Sequence, residues 1–156
     1  MLSFFDRKEI DSMLSSRDDA DAALHALFEA NRLLRDAGER IASAAGQTHA
    51  RRMVLQSATQ AATVADIARS LSLQRQGVQR IADDLVNEGL ARYEDNPRHR
   101  RSKLLVVTDA GCSILSEIRK THSGWLDELR ESAPGLDWSS LRRDLEYLIS
   151  SLRNQR

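Results

Sequence analysis

Residues 63–107 read TVADIARSLSLQRQGVQRIADDLVNEGLARYEDNPRHRRSKLLVV, and the first half of this segment has helical periodicity. Thr63, with Asp66 three residues later, is typical of the N-terminus of a helix. A second helix is predicted from about residue 74 to Gly89, a glycine placed for a left-handed C-cap. Two short helices joined by a tight turn predict a helix-turn-helix.

The residues after Gly89 change to the pattern of β-strands. Residues 90–94 and 103–107 predict two short strands, the second of them rich in β-branched side chains. The intervening residues 95–102 predict a turn that is dense in positive charge. A β-hairpin with a basic tip is therefore predicted directly after the second helix.

The second helix and the hairpin tip carry side chains suited to DNA. The second helix of a helix-turn-helix enters the major groove and leads with its N-terminal residues. An arginine side chain can donate two hydrogen bonds to the edge of guanine, and a glutamine side chain can form two with adenine. A basic hairpin tip can reach phosphates or a narrow minor groove. The candidate DNA-binding residues are Gln74, Arg75, Gln76, Gln79, Arg80, Arg98, Arg100, Arg101 and Lys103.

Each of these features has an ordinary alternative. A polar helix face is usually solvated surface, and a basic loop alone is weak evidence of binding. Asp83 and Asp84 also lie on the second helix, where we expect them to pair with nearby arginines rather than face phosphate. The order of the elements favours DNA binding. The alternative is a winged-helix module for protein interaction, or a constitutive architectural DNA binder without a ligand.

The composition is that of one soluble domain, with 156 residues, 41% of them hydrophobic and 29% charged. The net charge is zero, but residues 51–103 contain 10 basic and 6 acidic residues, so the middle third attracts polyanions. Because the chain shows neither an apolar run of transmembrane length nor a signal-peptide pattern, we expect a cytoplasmic protein without membrane contact.

Long helices are predicted on both sides of the helix-turn-helix. Helices over about 18–45 and 49–58 precede it, and a helix capped by Thr108 follows and ends at Pro134-Gly135. In that helix and in the last one, apolar residues recur at steps of 3 and 4, the period of a coiled-coil contact. Packing within the chain is the alternative. The two seams are Leu115, Ile118, His122, Trp125 and Leu129, and then the candidate dimerisation residues Trp138, Leu141, Leu145, Leu148 and Leu152.

Four segments together resemble the MarR-type winged-helix regulators of bacteria and archaea. They are residues 63–68 (TVADIA), 74–80 (QRQGVQR), 84–90 (DLVNEGL) and 105–111 (LVVTDAG). The resemblance implies a mainly α fold, a winged helix-turn-helix with a small β-hairpin wing and with N- and C-terminal dimerisation helices. It also implies a homodimer, usually a repressor, on a pseudo-palindromic double-stranded operator.

The same resemblance implies a division of the chain into three regions. Residues 1–48 would be an N-terminal dimerisation region, 49–109 the DNA-binding lobe and 110–156 the C-terminal dimerisation helices. Two positions depart from the family pattern. The wing motif, commonly Asp-Pro-x-Asp-Arg-Arg, reads NPRHRR at residues 96–101, so it lacks two acids that often brace the arginines. Gln74 stands where a capping Ser or Thr is usual, which predicts a weaker cap.

Many members of that family are released by small aromatic or phenolic effectors that bind between the dimerisation helices and the DNA-binding lobe. The candidate effector-binding residues here are Phe28, Asn31, Arg52, Leu55 and His122. The alternative for His122 is a satisfied core histidine. Cys112, the one cysteine, is expected to be buried and inert. The alternative is an oxidant-sensing thiol in the first turn of its helix.

No catalytic or metal-binding motif stands out. The sequence lacks a glycine-rich phosphate loop, a nucleophile elbow and a His-Glu-x-x-His motif. Its four histidines show no ligand spacing, and a single cysteine excludes an intrachain disulfide and a cysteine-based zinc site. We therefore predict neither an enzyme nor a cofactor nor a metal.

Overall fold

A computed structural model describes residues 7–99 and 101–155, with side chains described from residue 18 onward. In this part of the chain, six helices surround a small antiparallel sheet with the strand order β1-β3-β2. The helices are α1 (Arg7–Ser43), α2 (His49–Ser57), α3 (Val64–Leu71), α4 (Arg75–Asn87), α5 (Asp109–Ser132) and α6 (Trp138–Asn154). The strands are β1 (Ala62–Thr63), β2 (Ala91–Glu94) and β3 (Leu104–Val107), and a short 3-10 turn covers Ala58–Gln60.

The predicted helices are present, with one clear difference in length. Helix α1 begins at Arg7 rather than near residue 18. The extra turns contain no glycine or proline and include Lys, Glu, Met and Leu, which favour helix without any apolar periodicity. Periodicity alone therefore placed the start too late.

The helix-turn-helix is confirmed, together with the local signals that predicted it. Thr63 caps α3, its Oγ1 accepting a hydrogen bond from the backbone N–H of Asp66 at 3.2 Å. The Thr63 hydroxyl also donates to the Asp66 carboxylate at 2.7 Å, which lowers the pKa of that carboxyl below its usual value. Gln74 caps α4 with its backbone only, as expected for a weaker cap, and Gly89 adopts the left-handed conformation at φ +74°.

The hairpin is also confirmed, and it gains a third strand. Strands β2 and β3 pair in register from Ala91 opposite Val107 to Glu94 opposite Leu104. On its other side β3 pairs with β1, with Ala62 opposite Leu105. Two residues are too short for a periodic pattern, so the sequence could not reveal β1. This strand anchors the start of α3 to Leu104 and Leu105, the end of β3 nearest the tip of the hairpin. We call the hairpin the wing (β2, β3 and the residues between them).

The hydrophobic core lies in the helix-turn-helix lobe. Helices α2, α3 and α4 close over the sheet, and one residue of α5, Leu115, completes the cluster. The buried cluster comprises Val54, Leu55, Ala58, Val64, Ile67, Ala68, Val78, Ala82, Leu85, Ala91, Leu105 and Leu115. This core fixes α4 against the sheet, so the opposite face of α4 remains in solvent.

The outer helices are much less covered. Every residue of α1 from 18 to 36 is exposed, and Phe28 is 72% exposed. Helix α6 contains no buried residue, and along its predicted apolar seam Leu152 is 50% exposed. In α5 the first half of the seam is buried, at Leu115 and Ile118, whereas the second half is only partly covered. The single chain thus leaves apolar surface open on α1 and α6.

Cys112 contradicts the expectation of a buried residue, because it is exposed in this chain. It follows the buried Gly111, and one residue along a helix is a rotation of about 100°. That rotation turns the thiol away from the core face of α5. Within residues 7–99 and 101–155, no helix is both long enough and apolar enough to cross a membrane.

Candidate nucleic-acid interface

A cleft of about 570 Å³ separates the N-terminal half of α4 from the wing. Arg75 and Gln79 of α4 line one wall, and Arg101 and Lys103 of the wing line the other. The structure thus brings together four of the predicted DNA-binding residues that are up to 28 positions apart in sequence. We call this feature the α4–wing cleft; its lining is Thr63, Val64, Ala65, Arg75, Gln79, Tyr93, His99, Arg101, Ser102 and Lys103.

The other predicted contact residues lie beside this cleft or beyond it. Gln74, Gln76 and Arg80 are exposed, and Gln76 and Arg80 lie one helical turn apart on the solvent face of α4. Arg98 is exposed in the wing, where its backbone N–H donates to the Asn96 side-chain oxygen at 3.0 Å. Arg100 lies outside the described residues.

The cations at this surface are not neutralised by neighbouring acids. The ion pairs between described residues use other arginines, namely Arg32, Arg51, Arg69 and Arg92. Within the described part of the chain, none of these pairs includes a cation of α4 or of residues 95–103. The positive charge therefore remains available to an external anion, and a polyphosphate backbone is the anion that a line of arginines fits best.

Gln79 has a structural role that the sequence did not reveal. Its Nε2 donates to Asp83 Oδ1 at 2.9 Å and to the Tyr93 hydroxyl oxygen at 2.9 Å. The Tyr93 hydroxyl in turn donates to the same Asp83 oxygen at 2.8 Å. We call these three side chains the Gln79 triangle. The expectation that Asp83 would pair with arginines is wrong, because these two neutral donors occupy its carboxylate instead.

Tyr93 stays protonated throughout the physiological range. Its burial, and then its hydrogen bond to Asp83 and the charge of that carboxylate, raise the pKa of the Tyr93 hydroxyl to about 12. Tyr93 lies on β2, so the triangle joins α4 to the wing. No periodicity links Gln79 to a residue fourteen positions later, so only the fold brings them together.

The candidate effector residues lie in different environments. Leu55 is fully buried in the core of the lobe, Arg52 is half-buried on α2, and Phe28 and Asn31 are exposed on α1. His122 is half-buried on α5 and packs against Trp125, with ring centroids 5.6 Å apart. An open groove of about 300 Å³ between α1 and α5 is lined instead by Ala37, Arg40, Ile41, Lys120, Thr121, Gly124, Trp125 and Glu128.

No group of three or more His, Cys, Asp or Glu side chains in the described residues is arranged to hold a metal ion. The lining of the α4–wing cleft supplies hydrogen-bonding groups and positive charge. A helix presenting glutamine and arginine beside a basic hairpin defines a winged helix-turn-helix protein, whose general use is the recognition of duplex nucleic acid.

Comparison with known proteins assigns the chain more narrowly. The sequence profile of the MarR family matches residues 53–102. An uncharacterized protein of Mycobacterium tuberculosis is 38% identical over 131 residues, which is 83% of this chain and 92% of the relative. The chain belongs to the MarR family of transcription regulators.

Solved structures agree with that assignment. One solved crystal structure is that of a MarR family transcription regulator whose sequence is 26% identical to this chain. The two structures superpose with a TM-score of 0.74, and the match covers 91% of this chain and 93% of the regulator's chain. A mutant MarR from E. coli in complex with operator DNA is 23% identical, with a TM-score of 0.69 over 86% of this chain and 96% of its own. At 23% identity, the similarity to MarR from E. coli shows a shared fold and nothing more.

Proposed function

We propose that this MarR-family regulator binds a pseudo-palindromic DNA operator as a homodimer and represses transcription from it. The observation that carries the proposal is the α4–wing cleft, where Arg75, Arg101 and Lys103 face one opening. These cations have no acidic partner among the described residues. A surface with unpaired positive charge beside the second helix of a helix-turn-helix is typical of DNA-binding proteins.

In the proposed complex, α4 enters the major groove with its N-terminus leading. Gln76 and Arg80 are exposed on the face opposite the core, so they are the side chains best placed to read base edges. Gln74 and Arg75 lie at the start of the helix, where free amides and the helix dipole also favour a phosphate. Arg98, Arg101 and Lys103 of the wing bind the phosphates of the DNA backbone, together with Arg100. Phosphate contacts then set affinity and register, and base contacts set sequence preference.

The proposed homodimer is supported by the apolar surface that the single chain leaves open. Leu24, Leu27 and Phe28 of α1 are exposed, as is Leu152 of the α6 seam, whose other residues are half-buried. Exposed apolar surface of this extent usually marks an interface, and a two-fold partner would cover the same helices on both subunits. We infer that residues 1–48 and 110–156 form the dimerisation region and 49–109 the DNA-binding lobe. Two recognition helices would then lie about 34 Å apart in successive major grooves.

The resemblance to MarR-type regulators supports one further part of the proposal. A small aromatic or phenolic effector would release the dimer from DNA by changing the separation of its two lobes, which requires only a modest difference in affinity between two dimer states. Phe28, Asn31, Arg52, Leu55 and His122 remain the candidate effector residues.

A double variant, Gln76→Ala with Arg80→Ala, tests the proposed function. We expect it to lose the preference for the operator over an unrelated duplex, because both changes remove base contacts. A matched control, Gln56→Ala with Arg32→Ala, removes the same chemical groups from exposed positions on α2 and α1. Affinities are measured by fluorescence anisotropy on both duplexes at near-physiological salt. An unchanged preference in the α4 variant would show that Gln76 and Arg80 do not read the operator, whereas a wild type without any preference would favour the protein-interaction alternative.

A further inference from the structure

The Gln79 triangle fixes which way the side-chain amide of Gln79 faces. An ionised carboxylate only accepts hydrogen bonds, so the amide atom that lies 2.9 Å from Asp83 Oδ1 has to be the nitrogen. The Tyr93 hydroxyl gives its one proton to the same carboxylate and accepts from the same nitrogen. Both neighbours therefore impose the same orientation, in which Oε1 points away from them.

The distances also show how many donors the triangle requires. The three separations are 2.9, 2.9 and 2.8 Å, so the two acceptors subtend an angle of about 60° at Nε2. A single N–H directed between the two acceptors lies about 30° from each, no farther than two separate N–H bonds about 120° apart would lie, so the triangle requires only one N–H and the second can bond a base. The shared N–H is the one directed away from Oε1, because the other would press the amide oxygen against the carboxylate.

One edge of the amide therefore remains available. It consists of Oε1, to which no described side chain donates, and the second N–H beside it. This edge offers one acceptor and one donor side by side. Adenine presents the complementary pair in the major groove, a donor at N6 and an acceptor at N7, whereas guanine presents two acceptors and cytosine one donor.

We propose that Asp83 and Tyr93 are positioning residues that hold the Gln79 amide in the orientation that selects adenine at one position of each operator half-site. The inference rests on the proposed function, since it assigns a base preference within that DNA interface. It also gives Asp83 a role on a helix that meets phosphates. The Asp83 carboxylate accepts hydrogen bonds from two donors, Gln79 and Tyr93. By orienting Gln79 it compensates for the repulsion between its own charge and the DNA phosphates.

The raised pKa of Tyr93, about 12, supports this role. The hydroxyl remains protonated at any pH at which the duplex is stable, so it always donates to Asp83 and never competes for that oxygen. The phenol ring is half-buried on β2, which holds the hydroxyl in place while α4 packs on the sheet.

The test is a selection from a duplex library randomised over two helical turns, followed by sequencing. Four proteins are compared with the wild type, namely Gln79→Ala, Tyr93→Phe, the double variant Asp83→Ala with Tyr93→Phe, and Tyr147→Phe. Tyr147 is the only other tyrosine of the chain and is 76% exposed on α6, so its variant makes the same chemical change away from α4. The readout is the relative affinity for the four base pairs at each position. A ratio measured within one sample is independent of the folded fraction.

We expect the wild type to prefer adenine by about tenfold at one position of each half-site, and Gln79→Ala to lose that preference at that position alone. The double variant should reduce it to about twofold or less, with Tyr93→Phe between the two and Tyr147→Phe unchanged. The inference is overturned if the double variant keeps the full preference, or if it weakens all positions equally. It is also overturned if the position lost in Gln79→Ala prefers another base. A wild type that enriches no motif would instead refute the proposed function, and with it this inference.

Discussion

Gly111 on α5 lies directly against the backbone carbonyl of Leu90, at the entry to β2. A Cβ atom built on Gly111 would lie 2.1 Å from the Leu90 oxygen and 2.7 Å from Val107 Cγ2. Thr108 closes the same junction, since its backbone N–H donates to the Leu90 oxygen at 3.1 Å and its hydroxyl to the Gly89 oxygen at 2.7 Å. This close approach is what connects the wing to the long helix that leaves the lobe.

Gly111→Ala should therefore destabilise the protein. Because both neighbours belong to packed backbone or a β-branched side chain, the added methyl group has no space, and we expect a loss of at least about 2 kcal/mol in the free energy of unfolding. Gly124→Ala is the matched control on the same helix, where a Cβ would meet nothing within 4 Å. It should stabilise by about 0.5–1 kcal/mol. Urea unfolding followed by circular dichroism measures both, and equal stabilities for the two variants would refute the close packing.

The apolar seam of α6 predicts an effect on assembly. Leu148→Glu places a charge in the middle of the seam, where a partner helix would bury it, so the variant should shift the protein from dimer to monomer. Ser150→Glu adds the same charge on the other side of α6, at a residue that is exposed in the single chain. It should leave the dimer intact. Light scattering after size-exclusion chromatography gives the mass of each species, and a dimeric Leu148→Glu variant would exclude α6 from the interface.

The wing predicts a loss of affinity without a loss of sequence preference. Arg101→Ala and Lys103→Ala each remove one cation from the α4–wing cleft. Each should weaken binding to every duplex and lower the slope of log K against log salt by about 0.9, the value for one released counterion. Arg32→Ala removes a cation that is already paired with Glu29 and Asp36 on α1, and should leave the slope unchanged. An unaltered slope in both wing variants would show that these cations do not contact phosphate.

The pKa of Tyr93 predicts a specific dependence of stability on pH. Its value rises from 10.0 to about 12 in the folded protein, so the folded state favours the protonated phenol. The stabilisation is fully present below pH 10 and is lost as the pH rises from 10 towards 12, because the unfolded chain ionises first. In Tyr147→Phe, Tyr93 is the one remaining tyrosine, so its tyrosinate absorbance should appear with a midpoint near 12. Tyr93→Phe should lack this part of the alkaline decline, and an identical decline in both proteins would contradict the raised pKa.

Local signals in the sequence were sufficient for the elements of the lobe. The Thr63 cap, the left-handed Gly89 and the alternation before and after the basic turn each act over a few residues, so they can be recognised without a fold. The four motif segments then indicated the family, because their order is specific even where each piece is common.

Features that depend on tertiary contacts could not be predicted from the sequence. Gln79 falls between the polar and apolar faces of its helix, and only the packing of α4 on β2 brings Tyr93 to it. The exposure of Cys112 depends on which face of α5 meets the lobe, and the two-residue strand β1 exists only because β3 offers it an edge. Sequence periodicity reports which residues share a face, but not which element that face contacts.

The central claim is that two copies of this chain read one DNA site through α4. Selection of the wild-type protein on a random duplex library at near-physiological salt, with the mass of the selected complex measured alongside, tests it most directly. We predict an enriched inverted repeat whose half-sites are centred about one helical turn apart, bound by two chains per duplex. Weak binding without an enriched motif, or one chain on an asymmetric site, would contradict the claim.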